Sequence, residues 1–434
     1  MNQEQPRVVI VGAGFGGLWA ARALADEPVD VLLVDKNNYH AFWPLLYQVA
    51  AAELEAEQIA YPVRRVLRTQ ENASFVMDEV REIDLDARTL HTVDGPSIGY
   101  DFLILAPGSA SSFFGIPGAA DYTFPLKTME EGVALRNHIL RCFEVAIQEP
   151  NPARRRQLLT FVVVGGGPTG VEYAGALAEL IHGPLLRDFR GLDVDEVCVT
   201  VIEMMETLLP GMPERLGNYA ARRLEEQHVD VRLETAVAEV TENAVMLEGG
   251  ERIDTETVIW TAGVRGAPLA EASGLETTKG GRVPVLPTLQ LTGRPEVYVA
   301  GDLAAFEGED GELLPMLAPV ANQQGEHAAY NISRQLRDQE PVSFHYFDKG
   351  AMATIGRGAA VAEIFHLAFT GFVAWIIWLV VHLFQLIGFR NRLAVMINWA
   401  WSYLFFERMV RVILPVADEL DAAFEEKRVD EEDA

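Results

Sequence analysis

Short apolar runs, each closed by a glycine-bearing turn, recur along this chain and read as buried strands rather than half-exposed alternating ones. Val8–Val11 is the first; a helix follows through Ala20–Leu24, and Val29–Val34 returns as a second strand. The same order reappears at Phe161–Glu179 and Val197–Ile202, with Ile181–Glu196 as an insertion before the returning strand. Tyr100–Ser109, Thr257–Val264 and Pro295–Leu303 supply further strands running into turns. Between them, Glu55–Arg68 has a helical pattern, Ser74–Leu90 reads as strands with turn acids, and Val231–Leu247 as a small sheet. Strands alternating with helices predict an α/β fold.

The turns give the pattern chemical meaning. Gly12, Gly14 and Gly17 form Gly-x-Gly-x-x-Gly between the first strand and its helix, and Gly165, Gly167 and Gly170 repeat it. In such a turn the first glycine permits the bend, the second lets backbone approach a pyrophosphate, and the third lets helix pack on strand. The phosphates then meet the positive end of the helix dipole. The second strands end on Asp35 and Glu203, carboxylates that accept ribose hydroxyls and repel a 2′-phosphate. Two dinucleotide sites in one chain imply that something passes between the nucleotides. In the second copy Glu172 stands in the first turn of the helix, either as a dipole-compensating acid or as a functional carboxylate. Asp302, after Gly301, is either a helix cap or an acceptor from a ribityl hydroxyl.

Composition narrows the classes. At 434 residues the chain has room for two or three domains. A formal charge of −28 argues against nucleic acid and against long-range attraction to anionic lipid, so any membrane contact must be apolar or local. Cys142 and Cys198 form no C-x-x-C pair and no metal-ligand cluster, which predicts a reducing compartment, no thiol redox couple and no metal. The first strand begins soon after Met1 without a charged n-region and apolar h-region, which predicts no cleaved leader and a catalytic part on the cytoplasmic side.

With these pieces in order, the sequence resembles the flavoproteins that carry two dinucleotide domains. More narrowly it resembles the type II NADH:quinone oxidoreductases, through NNYHAFWPLLYQVA, GGGPTGVEYAGALAE, WTAGV with VYVAGD, and APVANQQG at 318–325. The likeness runs from Arg7 to about Arg411. It implies two Rossmann-like domains, FAD held by Gly12, Gly14, Gly17, Asp35, Val80, Gly108, Gly301 and Asp302, and NADH held by Gly165, Gly167, Gly170, Glu203 and Gly263. It further implies Glu172 and Gln323 as catalytic groups and Gln323 with Gln324 at a membrane quinone, menaquinone or ubiquinone. Pro319 departs from the family segment, which usually has glutamine there. The implied activity is hydride transfer from NADH to FAD and two-electron transfer to quinone, without proton pumping. The implied domains are 1–117 and 286–345 for FAD, 118–285 for NADH, and 346–434 for membrane association.

Ile364–Gly388 is apolar and long enough to raise the question of a membrane span, but His366, His382 and Gln385 interrupt it. Leu393–Leu414 contains Glu407, Arg408 and Arg411, and Asp418–Ala434 holds nine acids against Lys427 and Arg428. A span would place all of this on the far side. The reading is therefore a monotopic, helical anchor on the cytoplasmic face, with Trp375, Trp378, Trp399, Trp401 and Tyr403 at the lipid boundary and basic residues near Arg390 at headgroups. The same surface is a candidate homodimer interface. Two other readings stay open: an NAD(P)H-dependent reductase of a naphthoquinone precursor, and a nucleotide-sensing flavoprotein without catalysis.

Overall fold

A computed structural model describes residues 5–405, 407, 408 and 410–413; the acidic segment at 418–434 lies outside them. The chain groups into two compact units. The first comprises Met1–Ala41, Ala60–Ser112 and Val264–Lys349; the second comprises Phe42–Ile59, Phe113–Gly263 and Gly350–Ala434. The 42–59 segment and the C-terminal region thus both group with the second glycine motif.

The first unit is built on a sheet ordered Gln290–Leu291, Arg294–Val299, Phe102–Leu105, Arg7–Val11, Asp30–Asp35, Ala73–Met77. All neighbours are parallel except the Gln290–Leu291 edge. Val8, Val9 and Ile10 are fully buried on the central strand, as a parallel strand covered on both faces requires. The Phe15–Ala23 helix packs on the Ala318–Gln335 helix, and a Cβ on Gly325 would lie 2.0 Å from the Gly16 carbonyl oxygen. Only glycine allows that approach.

The second unit repeats the plan. Its sheet is ordered Phe124–Pro125, Thr257–Trp260, Thr160–Val164, Cys198–Ile202, Val229–Arg232, all parallel. Beside it run an antiparallel meander, Val237–Thr241, Ala244–Leu247 and Arg252–Asp254, and a hairpin-linked trio, Ala351–Thr354, Ala360–Ile364 and Leu367–Thr370. The helices Gly371–Gln385 and Phe389–Phe405 follow.

Several sequence expectations change. Glu55–Arg68 is not one helix: Ala56–Ile59 and Val63–Val66 are separated by Ala60–Pro62, a strand paired with Tyr39–Ala41. Pro62 has no N–H to continue a helix. Val231 belongs to the parallel sheet, and the small sheet begins at Val237. The 364–388 run is divided: Ile364 pairs with Leu367 across Phe365 and His366, both at positive φ, so the helix begins only at Gly371. Its 15 residues extend about 22 Å, short of a hydrocarbon core of about 30 Å. Among the described residues no helix is long and apolar enough to cross a membrane. Trp375, Trp378 and Trp399 are buried rather than at a lipid boundary, because the two helices turn those side chains onto their own unit. Of the predicted tryptophans Trp401 is exposed, with Phe372, Val380, Phe384, Phe389 and Leu404.

Candidate functional site

The first cradle lies in the first unit. Gly12 sits at φ +99°, and a Cβ there would meet the Ala106 carbonyl oxygen at 2.2 Å. A Cβ on Gly17 would lie 1.8 Å from the Gly12 carbonyl oxygen, so strand and helix touch backbone to backbone. Gly14 and Gly108 differ: a Cβ on either meets nothing within 4 Å, so both border open space that a pyrophosphate can enter. Asp35 ends the second strand with Oδ2 accepting from Ala13 N–H (2.6 Å) and Oδ1 from Asn37 N–H (2.7 Å). Burial raises its carboxyl above the ordinary value in spite of those donors. Gly301, at φ +73°, donates its N–H to Gln324 Oε1 (2.7 Å), and Asp302 Oδ2 accepts from the Ser109 hydroxyl. Val80 opens the separate antiparallel sheet of this unit.

Among the buried side-chain polar atoms of this unit that have no hydrogen-bond partner among the described residues are His40 Nε2 and Gln324 Nε2. His40 donates from Nδ1 to the Ala13 carbonyl (2.9 Å) inside the cradle loop, and burial lowers its pKa to about 4, so Nε2 is an unprotonated acceptor at neutral pH. A glycine cradle open at Gly14 and Gly108, a ribose-competent acid and these two idle atoms suit a large polar group such as FAD.

The second cradle repeats the first within its own unit. Gly165 is at φ +108° with Ala262 Cα 2.6 Å from its would-be Cβ; Gly170 would meet the Gly165 oxygen at 1.9 Å; Gly167 borders open space. Glu203 Oε2 accepts from Gly166 N–H (2.6 Å) and Oε1 from Met205 N–H (2.9 Å). Beyond Glu203 a shallow depression is rimmed by Met204, Glu234, Glu248 and Glu251. A Cβ on Gly263 would strike the Phe114 ring at 2.4 Å, which keeps this turn against the 113–117 segment.

Glu172 is buried, facing the C-terminal region rather than solvent. Its Oε1 accepts from Thr354 N–H (3.2 Å) and Trp378 Nε1–H (3.1 Å), leaving Oε2 to hold a proton. Burial raises its pKa to about 8 against those two donors, so it is a neutral acid at pH 7. Trp378 stacks on His382 at 4.0 Å, and His382 donates from Nδ1 to the Trp378 carbonyl. Gln48 bridges the other wall, donating to Tyr47 Oη (2.8 Å) and accepting from Trp399 Nε1–H (2.8 Å). The helix begins at Pro168 and has no acid in its first turn, so Glu172 lies further along it than the sequence predicts, where the pull of the helix dipole is weaker.

Gln323 and Gln324 belong to the first unit and Glu172 to the second. Gln323 spends its amide on backbone: Nε2 donates to the Pro319 and Phe347 carbonyls, and Oε1 accepts from Phe347 N–H. Spacing in the sequence does not single out Tyr47, Thr354, Trp378 or Trp399 as site residues. The indole-to-carboxylate pairing spans 206 residues and has no local signature. Gln48 stands in a segment with polar residues among aromatics, which is the signal the sequence offers for it.

A family model described as pyridine nucleotide-disulphide oxidoreductase matches residues 6–325, and one described as the NDH2 C-terminal domain matches 349–408. The type II NADH:quinone oxidoreductase Ndh of Mycobacterium tuberculosis is 40% identical over 419 residues, covering 93% of this chain and 89% of that protein. A type II NADH:quinone oxidoreductase of Staphylococcus haemolyticus is 33% identical over 380 residues, covering 86% and 92%. The fold matches the structure of NDH2 from Plasmodium falciparum in complex with NADH, with a TM-score of 0.87 at 18% identity over 95% of this chain and 100% of that one. On both sequence and fold, the chain belongs to the type II NADH:quinone oxidoreductases.

Proposed function

We propose that this protein oxidises NADH and reduces a membrane quinone, menaquinone or ubiquinone, with FAD as resident cofactor. The observation that supports this most is the repeated cradle: two Gly-x-Gly-x-x-Gly turns, each with an acid pinned by two backbone N–H groups, in a chain of this family. FAD, when bound, supplies the step that takes a hydride from NADH and passes two electrons onward.

The chain's own residues do the rest. Gly12, Gly14, Gly17 and Gly108 admit the flavin pyrophosphate, Asp35 the ribose, and Val80, Gly301 and Asp302 the adenine and ribityl ends. Gly165, Gly167, Gly170 and Gly263 form the NADH cradle. Glu203 selects NADH over NADPH, helped by the acidic rim at Glu234 and Glu248, since a 2′-phosphate would meet several carboxylates. Glu172, neutral at pH 7, holds a proton at Oε2 for the quinone oxygen. Gln324, whose amide nitrogen is idle, suits a carbonyl ligand better than Gln323, whose amide already holds Phe347.

The exposed apolar side of the two C-terminal helices, with Phe372, Phe384 and Phe389 on it, rests in the headgroup-acyl boundary of the cytoplasmic leaflet. A homodimer shares part of this surface. Purified protein assayed with NADH and quinone analogues tests the function: stoichiometric quinol formation supports it, and NADH consumption without quinol points to a different acceptor.

A further inference from the structure

At the end of the second unit's sheet remote from its glycine cradle, two histidines far apart in sequence stand ring to ring. The rings of His182 and His228 have centroids 5.3 Å apart and planes at 58°, and both residues belong to the second unit. Each owes its place to an uncommon backbone. The helix Pro168–Leu180 runs on into a π-helical turn, Ile181–Leu185, where Pro184 has no N–H to offer the preceding turn and its ring needs the extra room. Widened turns of this kind gather at functional positions, and this one carries His182. His228 stands just past the helix Glu214–Glu225 at φ +64°, donating its N–H to the Glu225 carbonyl (3.0 Å). A left-handed helix stop is usually glycine or asparagine, so an imidazole there calls for a reason.

The two rings are uncommitted and within reach of solvent. Among the described residues neither imidazole has a hydrogen-bond partner. Burial, and then the neighbouring His228 ring, lower His182 below the ordinary imidazole value, so it keeps a free lone pair at neutral pH. His182 is half-buried and His228 exposed, which leaves one side open. His228 immediately precedes Val229–Arg232 in the parallel sheet, whereas the cradle follows the opposite ends of those strands. The pair is therefore separate from the nucleotide site.

We infer that His182 and His228 form a binding site for a divalent transition metal of the zinc type, with two imidazole nitrogens as ligands and water completing the coordination. The separation fits. With each nitrogen about 2.1 Å from the ion and each ring centre about 1.2 Å beyond, two imidazoles at a tetrahedral angle have centres about 5.3 Å apart. Imidazole nitrogen suits Zn²⁺, Ni²⁺ or Cu²⁺ and not the oxygen-seeking Mg²⁺ or Ca²⁺. The formal charge of −28 concentrates cations around the chain. Among the described residues no group of three or more His, Cys, Asp or Glu could hold a metal ion, so this ion is exchangeable rather than resident. When bound, it ties the far end of the helix that carries Glu172, about 15 Å further along, to the end of a neighbouring helix.

The test uses chelator-treated, FAD-loaded full-length protein titrated calorimetrically with Zn²⁺, beside His182→Gln and His228→Asn. Asparagine is at home in left-handed backbone, so the second change keeps the helix stop while removing the ligand. The wild type should take up one Zn²⁺ per chain, with a melting temperature that rises as the site fills and does not respond to Mg²⁺. Each variant should bind Zn²⁺ at least about tenfold more weakly, since even the partners that only orient metal ligands are worth that much. Co²⁺ in place of Zn²⁺ should give visible absorption outside the flavin bands that both variants lose. Wild-type protein that takes up no Zn²⁺, or variants that bind it as tightly as the wild type, would overturn the site. Should His182→Gln not fold, the affinity of His228→Asn decides alone.

Discussion

In the first unit the residue two places beyond the last cradle glycine is Trp19, packed beside Phe15 and His40; in the second it is Glu172, buried under Thr354 and Trp378. The residues proposed to meet a pyrophosphate or ribose are nearly the same in the two units. Each has a first glycine at φ near +100°, a third glycine whose would-be Cβ falls within 2 Å of the first glycine's carbonyl oxygen, and an acid held by the same two backbone positions. The frame that binds a dinucleotide is therefore fixed by sterics, while the next position on the helix is free to differ. There one copy has an aromatic side chain and the other a proton-bearing acid.

Equivalent lesions in the two copies should fail differently. Gly12→Ala drives a methyl group into the Ala106 carbonyl at a strained φ, and the protein should purify largely without flavin. Gly165→Ala makes the parallel clash with Ala262, and should keep its yellow colour while reduction by NADH falls on the order of a hundredfold. Absorbance spectra and stopped flow on both check this; loss of flavin from Gly165→Ala would erase the assignment of one nucleotide to each cradle.

Glu203→Ala should raise the KM for NADH by roughly tenfold, the scale of losing charge-assisted ribose hydrogen bonds, and relax exclusion of NADPH. Steady-state kinetics with both nucleotides read it. Because the acidic rim remains, Glu203→Ala with Glu234→Ala should admit NADPH better than either change alone.

The buried acid also predicts a stability slope. Folding raises the Glu172 pKa to about 8, so between the ordinary carboxylate range and that value the folded chain binds a proton that the unfolded chain has released. Stability thus falls as pH rises through this window, by at most about 1.4 kcal/mol per pH unit from this group. Glu53, raised to about 7, contributes with the same sign over a window that closes earlier. Denaturant melts at several pH values should show a shallower fall for Glu172→Gln, and an unchanged slope would mean the acid is ionised in the folded state.

The smallest effect is expected at the apolar face. Phe384→Glu should reduce co-sedimentation with vesicles severalfold, by loss of one buried aromatic side chain, while a water-soluble quinone analogue is still reduced at the original rate.

The cradles are legible in sequence because each depends on a few contiguous glycines and one acid at the end of the next strand. Glu172 is legible only as a position; its burial depends on Trp378, which no spacing rule connects to it. The Gln48–Trp399 bond spans 351 residues, and Arg408 reaches Glu53 and Glu179 from the end of the described chain. The C-terminal helices mislead by composition. An apolar run with tryptophans fits a lipid boundary and a buried pocket wall equally well, and the division is made by long-range partners: Trp378 and Trp399 find indole acceptors, and Trp375 packs on the Tyr403 ring. The helix expected across Glu55–Arg68 is lost to Pro62 and to strand pairing with Tyr39–Ala41.

Transfer of electrons from one cradle's nucleotide to the other's is tested most directly by anaerobic mixing of the purified yellow protein with one equivalent of NADH, followed by a quinone analogue. Loss of the flavin absorbance on the first addition and its return on the second, with quinol formed in equal amount, is the predicted result. Protein that is colourless and takes up no FAD, or flavin that NADH does not bleach, would contradict it.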